Sequence, residues 1–126
     1  MSDSFRLTGG YTVTPQSAPL SFAQTAEATI DESVTLSAKT TTDVLLTVDT
    51  PVAVNFGGVT VANVVILKAV GGKVTARLTS TDGSSQSVPF DTYLILMNDA
   101  VPITAIDLTR VAGTSTIVRV FLGDKA

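Results

Sequence analysis

The chain contains no cysteine, no histidine and no tryptophan. Without cysteine there is no disulfide, no thiolate nucleophile and no sulfur-ligated metal. Without histidine there is no Ser-His-Asp or Cys-His catalysis and no imidazole-bound zinc or iron. A serine or threonine nucleophile would need a lysine base, and Lys68 and Lys73 have no matching serine motif beside them. Aromatic residues make up 6% of the chain, a poor lining for a sugar cleft. Charged residues make up 15%, against roughly 25% in an average soluble protein. So little charge leaves much uncharged surface, and burial against copies of the same chain is the simplest place for it. Threonine and serine offer the other solution, solvating strand faces without charge.

The net charge is −3. The basic residues Arg6, Lys39, Lys68, Lys73, Arg77, Arg110, Arg119 and Lys125 are scattered, so no stripe is available for phosphates and no nucleic-acid partner is expected. The longest apolar run, Val59 to Val70, is broken by Lys68 and falls short of the ~20 residues that span a bilayer. No membrane partner is expected. The first residues lack a basic region followed by an apolar one, so no secretory signal is expected.

The acidic residues do not form an obvious catalytic pair. Asp31, Glu32, Asp43, Asp49, Asp82, Asp91 and Asp99 fall in expected turns, where the side chain bonds its own backbone. Only Asp107 lies in an apolar run. Asp82-Gly83 is a fragment of a calcium loop and reads as plain turn chemistry. Gly57-Gly58 and Gly71-Gly72 precede strands rather than helices and cradle no phosphate. No catalytic residue, no cofactor and no metal site is expected, and the chain does not read as an enzyme.

What remains is strand. Leu20 to Ile30, Val34 to Ala38, Val44 to Val48, Val52 to Phe56, Val59 to Val70 and Lys73 to Ser80 alternate or run apolar, with a period of two. Polar clusters at Asp31-Glu32, Lys39 to Asp43, Asp49 to Pro51 and Thr81 to Ser85 read as turns. Gly71-Gly72 reads as a tight hairpin, because two glycines supply the positive φ of a primed turn. Tyr93 to Gly123 holds three further runs. The last carries Val118, Val120 and Leu122 on one face and Ile117 and Phe121 on the other, the mark of a strand covered on both sides. With turn signals at roughly 8–12-residue spacing, the expected fold is an all-β, antiparallel β-sandwich or jelly roll of about eight to nine strands. Residues 1–19 read as an extended N-terminal arm, since Gly9-Gly10, Pro15 and Pro19 forbid a regular helix. Residues 20–126 read as a single domain. The alternating Phe5, Leu7, Tyr11 and Val13 are candidates for docking on a neighbouring subunit, and Ile117 and Phe121 for an interface on the last strand.

Residues 90 to 124 also carry a pattern. Leu94-Ile95-Leu96, then Ile103-Thr-Ala-Ile-Asp-Leu-Thr109, then Ile117-Val-Arg-Val-Phe-Leu-Gly123 resembles the small all-β virion proteins of tailed bacteriophages. Arg110 departs from the small residue such a turn would carry. The resemblance implies a structural protein that decorates or cements a capsid, neck or tail in many symmetric copies. Its expected partners are copies of itself, as a homotrimer, and the major capsid or another virion protein. Its expected location is the virion, after assembly in the host cytoplasm. The alternative is a glycan- or partner-binding β-sandwich module of a phage adhesion structure.

Overall fold

The computed structural model describes the backbone of residues 3–13 and 26–126, and the side chains of residues 3–9 and 31–126. Among these the chain is all-β, with no helix. The strands are β1 (Asp3–Val13), β2 (Ala26–Leu46), β3 (Val52–Ala53), β4 (Val64–Val70), β5 (Val74–Ser80), β6 (Ser85–Phe90), β7 (Tyr93–Met97), β8 (Ile103–Arg110) and β9 (Thr116–Lys125). Two compact units divide the chain at Thr35 and Leu36.

The N-terminal unit, Ser4–Thr35, sets β1 beside the first part of β2. Arg6 donates through Nε and Nη2 to both oxygens of Asp31, each at 3.0 Å. Phe5 and Leu7 are half-buried on one face, while Ser4, Arg6 and Thr8 are exposed on the other. The arm expected over residues 1–19 and the strand expected from Leu20 lie in part outside the described residues.

The turns expected at Asp31-Glu32 and at Lys39 to Asp43 do not form. β2 runs through both. Polar residues there reflect an exposed strand face, not a break: residues 35, 37, 39, 41, 43 and 45 are all exposed. The inward Thr40 satisfies its hydroxyl by donating to the Phe56 carbonyl at 2.6 Å. A threonine run of this kind suits a pleated surface as well as a loop.

In the second unit the strands pair in a nested order. β5 pairs with β6, β4 with β7, β3 with β8 and β2 with β9, all antiparallel. The chain thus doubles back on itself at the loop between β5 and β6. Two more antiparallel pairings, β4 with β9 and β5 with β8, gather these strands into the orders β2-β9-β4-β7 and β3-β8-β5-β6. One apolar core joins the two sheets. Val118, Val120 and Leu122 meet Leu46, Val65 and Leu67 from their own sheet, and Val74, Ala76, Ile106 and Leu108 from the other. Full burial of each such valine, leucine or isoleucine side chain contributes roughly 1.5–3 kcal/mol.

Nested pairing explains why Gly71-Gly72 does not close a hairpin. β4 and β5 belong to different sheets, so the glycine pair carries the chain from one sheet to the other. Only Gly71 takes a positive φ, at 112°. A Cβ there would stand 2.7 Å from the Ser115 carbonyl oxygen, a backbone atom with little room to move. The real hairpin is β5–β6. Its loop is closed by Asp82, whose Oδ1 accepts from the Ser84 N–H at 2.9 Å and its hydroxyl at 2.6 Å.

Two polar clips hold the ends of the strands. Asn63, buried just before β4, donates from Nδ2 to the Asn98 carbonyl at 3.1 Å and accepts the Lys125 N–H on Oδ1 at 2.9 Å. It links the start of β4 to the ends of β7 and β9. At the opposite ends, Asp49 accepts from the Gly113 N–H and from Arg110 Nε, each at 3.0 Å. Arg110 thereby ties the segment after β2 to the turn between β8 and β9, a role that a small residue could not fill.

Gly71→Val combines a strained φ with a backbone clash. It should lower the melting temperature by several degrees, equivalent to at least about 1 kcal/mol. Thermal denaturation followed by circular dichroism measures this, and an unchanged melt would mean that the backbone at 71 is placed differently.

The Asp49 clip predicts an acid dependence. The Gly113 N–H first, and Arg110 second, hold the Asp49 carboxyl below its ordinary range. A lowered folded value gives stabilisation that is present above the unfolded range and is lost as pH falls through the folded value. Asp82 is lowered in the same way by the Ser84 hydroxyl and N–H. Asp49→Asn keeps an acceptor but removes the titration. The gap in urea midpoint between wild type and Asp49→Asn should therefore narrow as pH falls below about 4. A gap that stays constant to about pH 2 would show that the carboxylate charge contributes nothing at this clip.

Candidate functional site

The sheet β2-β9-β4-β7 has an inner face in the core and an outer face in solvent. Alternation decides which residues stand outward. On β9 these are Ile117, Arg119 and Phe121, because Val118, Val120 and Leu122 point inward and are buried. Register then places their neighbours. Leu45, Ile117 and Val70 lie side by side on β2, β9 and β4. Asp43, Arg119, Lys68 and Tyr93 form the next row, across all four strands. Thr41, Phe121, Ile66 and Ile95 form the row after that.

This face is apolar to a degree that an ordinary solvated strand face is not. Seven large hydrophobic residues are exposed among the described residues, and five of them lie on it: Leu45 at 60%, Val70 at 49%, Tyr93 at 54%, Ile95 at 46% and Ile117 at 41%. The other two, Val48 and Val111, lie in loops. Scattered apolar residues on a surface need no explanation, whereas a set gathered on one sheet face makes that face the candidate interaction surface. The charged row crosses the apolar rows. Lys68 Nζ stands 5.5 Å from the centre of the Tyr93 ring, a cation–π contact. Among the described residues no ion pair engages Asp43 or Arg119.

The residues expected at an interface fall in three places. Ile117 and Phe121 stand on the outer face, Ile117 exposed and Phe121 half-buried. Phe5 and Leu7 are on β1, half-buried within the N-terminal unit. Tyr11 and Val13 lie on the same strand, but their side chains are outside the described residues. Sequence reasoning passed over Leu45, Val70, Tyr93 and Ile95 as interface residues. Their common face depends on which strands are neighbours, and no single strand shows it.

A second feature is a cavity of about 490 Å³ between β6 and β7, the edge strands of the two sheets. Leu78, Val88, Leu94 and Ile103 line its apolar part, and Ser85 and Gln86 stand at the exposed side. Its lining carries no charged and no aromatic side chain. The described residues contain no cluster of acidic side chains suited to a metal ion. No helix among them is long and apolar enough to cross a membrane.

No protein-family model, no curated protein and no solved structure matches this chain.

Adjacent positions on β9 give a direct check of the face assignment. Ile117→Thr should cost less than about 0.5 kcal/mol, since it changes an exposed residue to a good strand former. Val118→Thr buries a hydroxyl in the core and should cost about 1–3 kcal/mol. Urea denaturation of both variants at high dilution separates them, and equal costs would mean that the two faces of β9 are assigned wrongly.

Proposed function

We propose that the protein is a non-enzymatic structural component of a phage virion that decorates or cements the particle by associating with copies of itself. The carrying observation is the exposed apolar face of the β2-β9-β4-β7 sheet. Leaving five large hydrophobic residues in water is unfavourable, and covering each contributes part of the roughly 1.5–3 kcal/mol of full burial. A low overall charge supports the same reading.

The fold is read as a jelly roll, a β-sandwich made by rolling up a long antiparallel hairpin. Its support is the nested pairing of β2 with β9, β3 with β8, β4 with β7 and β5 with β6. Viral capsid proteins use such folds, and so do lectins. That comparison is one of architecture alone, because a fold hosts many functions. The resemblance of residues 90–124 to tailed-phage virion proteins adds the particle to the reading. It makes a major capsid or other virion protein the second partner, beside copies of the chain itself. The alternative, a glycan- or partner-binding module, draws on the cavity between β6 and β7. That cavity has neither an aromatic platform nor a charged group for a sugar.

Residues 1–19 enter the proposal as the docking arm, through Phe5, Leu7, Tyr11 and Val13. A two-stranded ribbon is marginally stable alone in water, so its Phe5 and Leu7 face gains from a second surface. Deleting residues 1–16 should leave a folded β domain with a near-native circular dichroism spectrum and weaken assembly. Sedimentation of both chains at micromolar concentration tests the reading, and also reports whether the oligomer is a trimer. A wild-type chain that stays a compact monomer, alone and with particles, would remove the proposal. Unchanged assembly after the deletion would remove the arm from it.

A further inference from the structure

The outer face is complementary to itself, and we propose that it pairs with the same face of a second copy about a twofold axis between β2 and β9. This inference rests on the self-association reading and specifies its contact.

The argument starts from register. Asp43 on β2 lies directly across from Arg119 on β9, and Leu45 lies directly across from Ile117. All four side chains are exposed on the outer face. A second copy turned by a half-turn about an axis along the strands, midway between β2 and β9, exchanges the two positions of each pair. Asp43 of each copy then stands over Arg119 of the other. Leu45 of each copy stands over Ile117 of the other. The contact holds two reciprocal opposite-charge pairs beside two reciprocal apolar pairs, which is what an isologous interface requires.

The charges decide between this placement and its neighbours. Moving the axis to lie between β9 and β4 would set Arg119 over Lys68, because those residues are also register partners. Two cations would then face each other in a desolvated contact, and like charges so placed are strongly disfavoured. An axis across the strands along the charged row would set Asp43 over Asp43 and Arg119 over Arg119. Among these three placements only the axis between β2 and β9 puts opposite signs together. Neither Asp43 nor Arg119 is held in an ion pair among the described residues, so both are available for it. An isologous contact closes as a pair, and a trimer would need a different contact beside it.

The test is a charge exchange between chains. D43R puts two cations at the paired positions, and R119D puts two anions there. Each variant alone should pair at least ~tenfold more weakly than wild type, since both reciprocal contacts become repulsive. An equimolar mixture should pair again. The arginine introduced at position 43 of one chain would meet the aspartate introduced at position 119 of the other, and the unchanged Arg119 would meet the unchanged Asp43. The mixture matters because each variant chain keeps its own like-charge neighbours across β2 and β9. Recovery in the mixture therefore reports the contact between chains and not repair within one. D43N and R119Q provide a second set that adds no like-charge neighbours across β2 and β9. Each should weaken pairing less, and mixing them should restore it only in part, because the Arg119 kept by one chain meets the Asp43 kept by the other while the amides introduced at positions 43 and 119 meet without charge.

Analytical ultracentrifugation of each chain and of the mixtures reads the outcome, with circular dichroism confirming the fold. Either charge variant pairing as tightly as wild type would overturn the contact, and so would a mixture that stays unpaired while wild type associates. A wild-type chain that never associates would remove the self-association reading itself, and this contact with it.

Discussion

The position of β9 between β2 and β4 is the constraint on which the second unit depends. A strand paired on both sides satisfies its backbone donors and acceptors along its length. It also turns one whole row of side chains into the core. Val118, Val120 and Leu122 are buried for this reason, and each belongs to the core that joins both sheets. The same placement forces Ile117, Arg119 and Phe121 outward. Core and outer face are two consequences of a single strand alternating by one residue.

Because β9 is the last strand, it must find β2 across most of the chain. The intervening strands fill that separation by pairing inward, β3 with β8, β4 with β7 and β5 with β6. Most links between consecutive strands then pass from one sheet to the other. Such links need tight, specific turns, and the chain supplies them at Gly71, where Ser115 approaches, and at the Asp49–Arg110 contact. Pairing of distant strands requires long loops to close before contacts reward them, so this unit is expected to be a slow folder compared with helical domains of its size.

Assembly chemistry of the kind proposed asks little of individual side chains. It needs area, alternation and a few charges at defined register, and it needs no nucleophile, base or metal. The absence of histidine and cysteine is compatible with that role. Arg110 illustrates how a departure from an expected pattern acquires meaning in three dimensions. In the resemblance it replaces a small turn residue. In the fold its guanidinium pairs with Asp49 while its side chain is almost covered.

Local chemistry in the sequence determined the strand class and much of the inward set. Val74, Ala76 and Leu78 alternate with exposed neighbours as their spacing requires, and so do Val118, Val120 and Leu122. These are properties of a period of two, which any pleated strand expresses whatever its partners are. Partnership itself is not local. Gly71-Gly72 has the composition of a hairpin and joins two sheets, because a turn dipeptide specifies backbone angles and not the strand that follows. Lys39 to Asp43 has the composition of a turn and lies mid-strand, because pairing with β9 outweighs the weak preference of polar residues for loops. The outer face belongs wholly to tertiary structure. Leu45, Val70, Tyr93, Ile95 and Ile117 come from four strands, and only the hydrogen-bonded order of those strands brings them together.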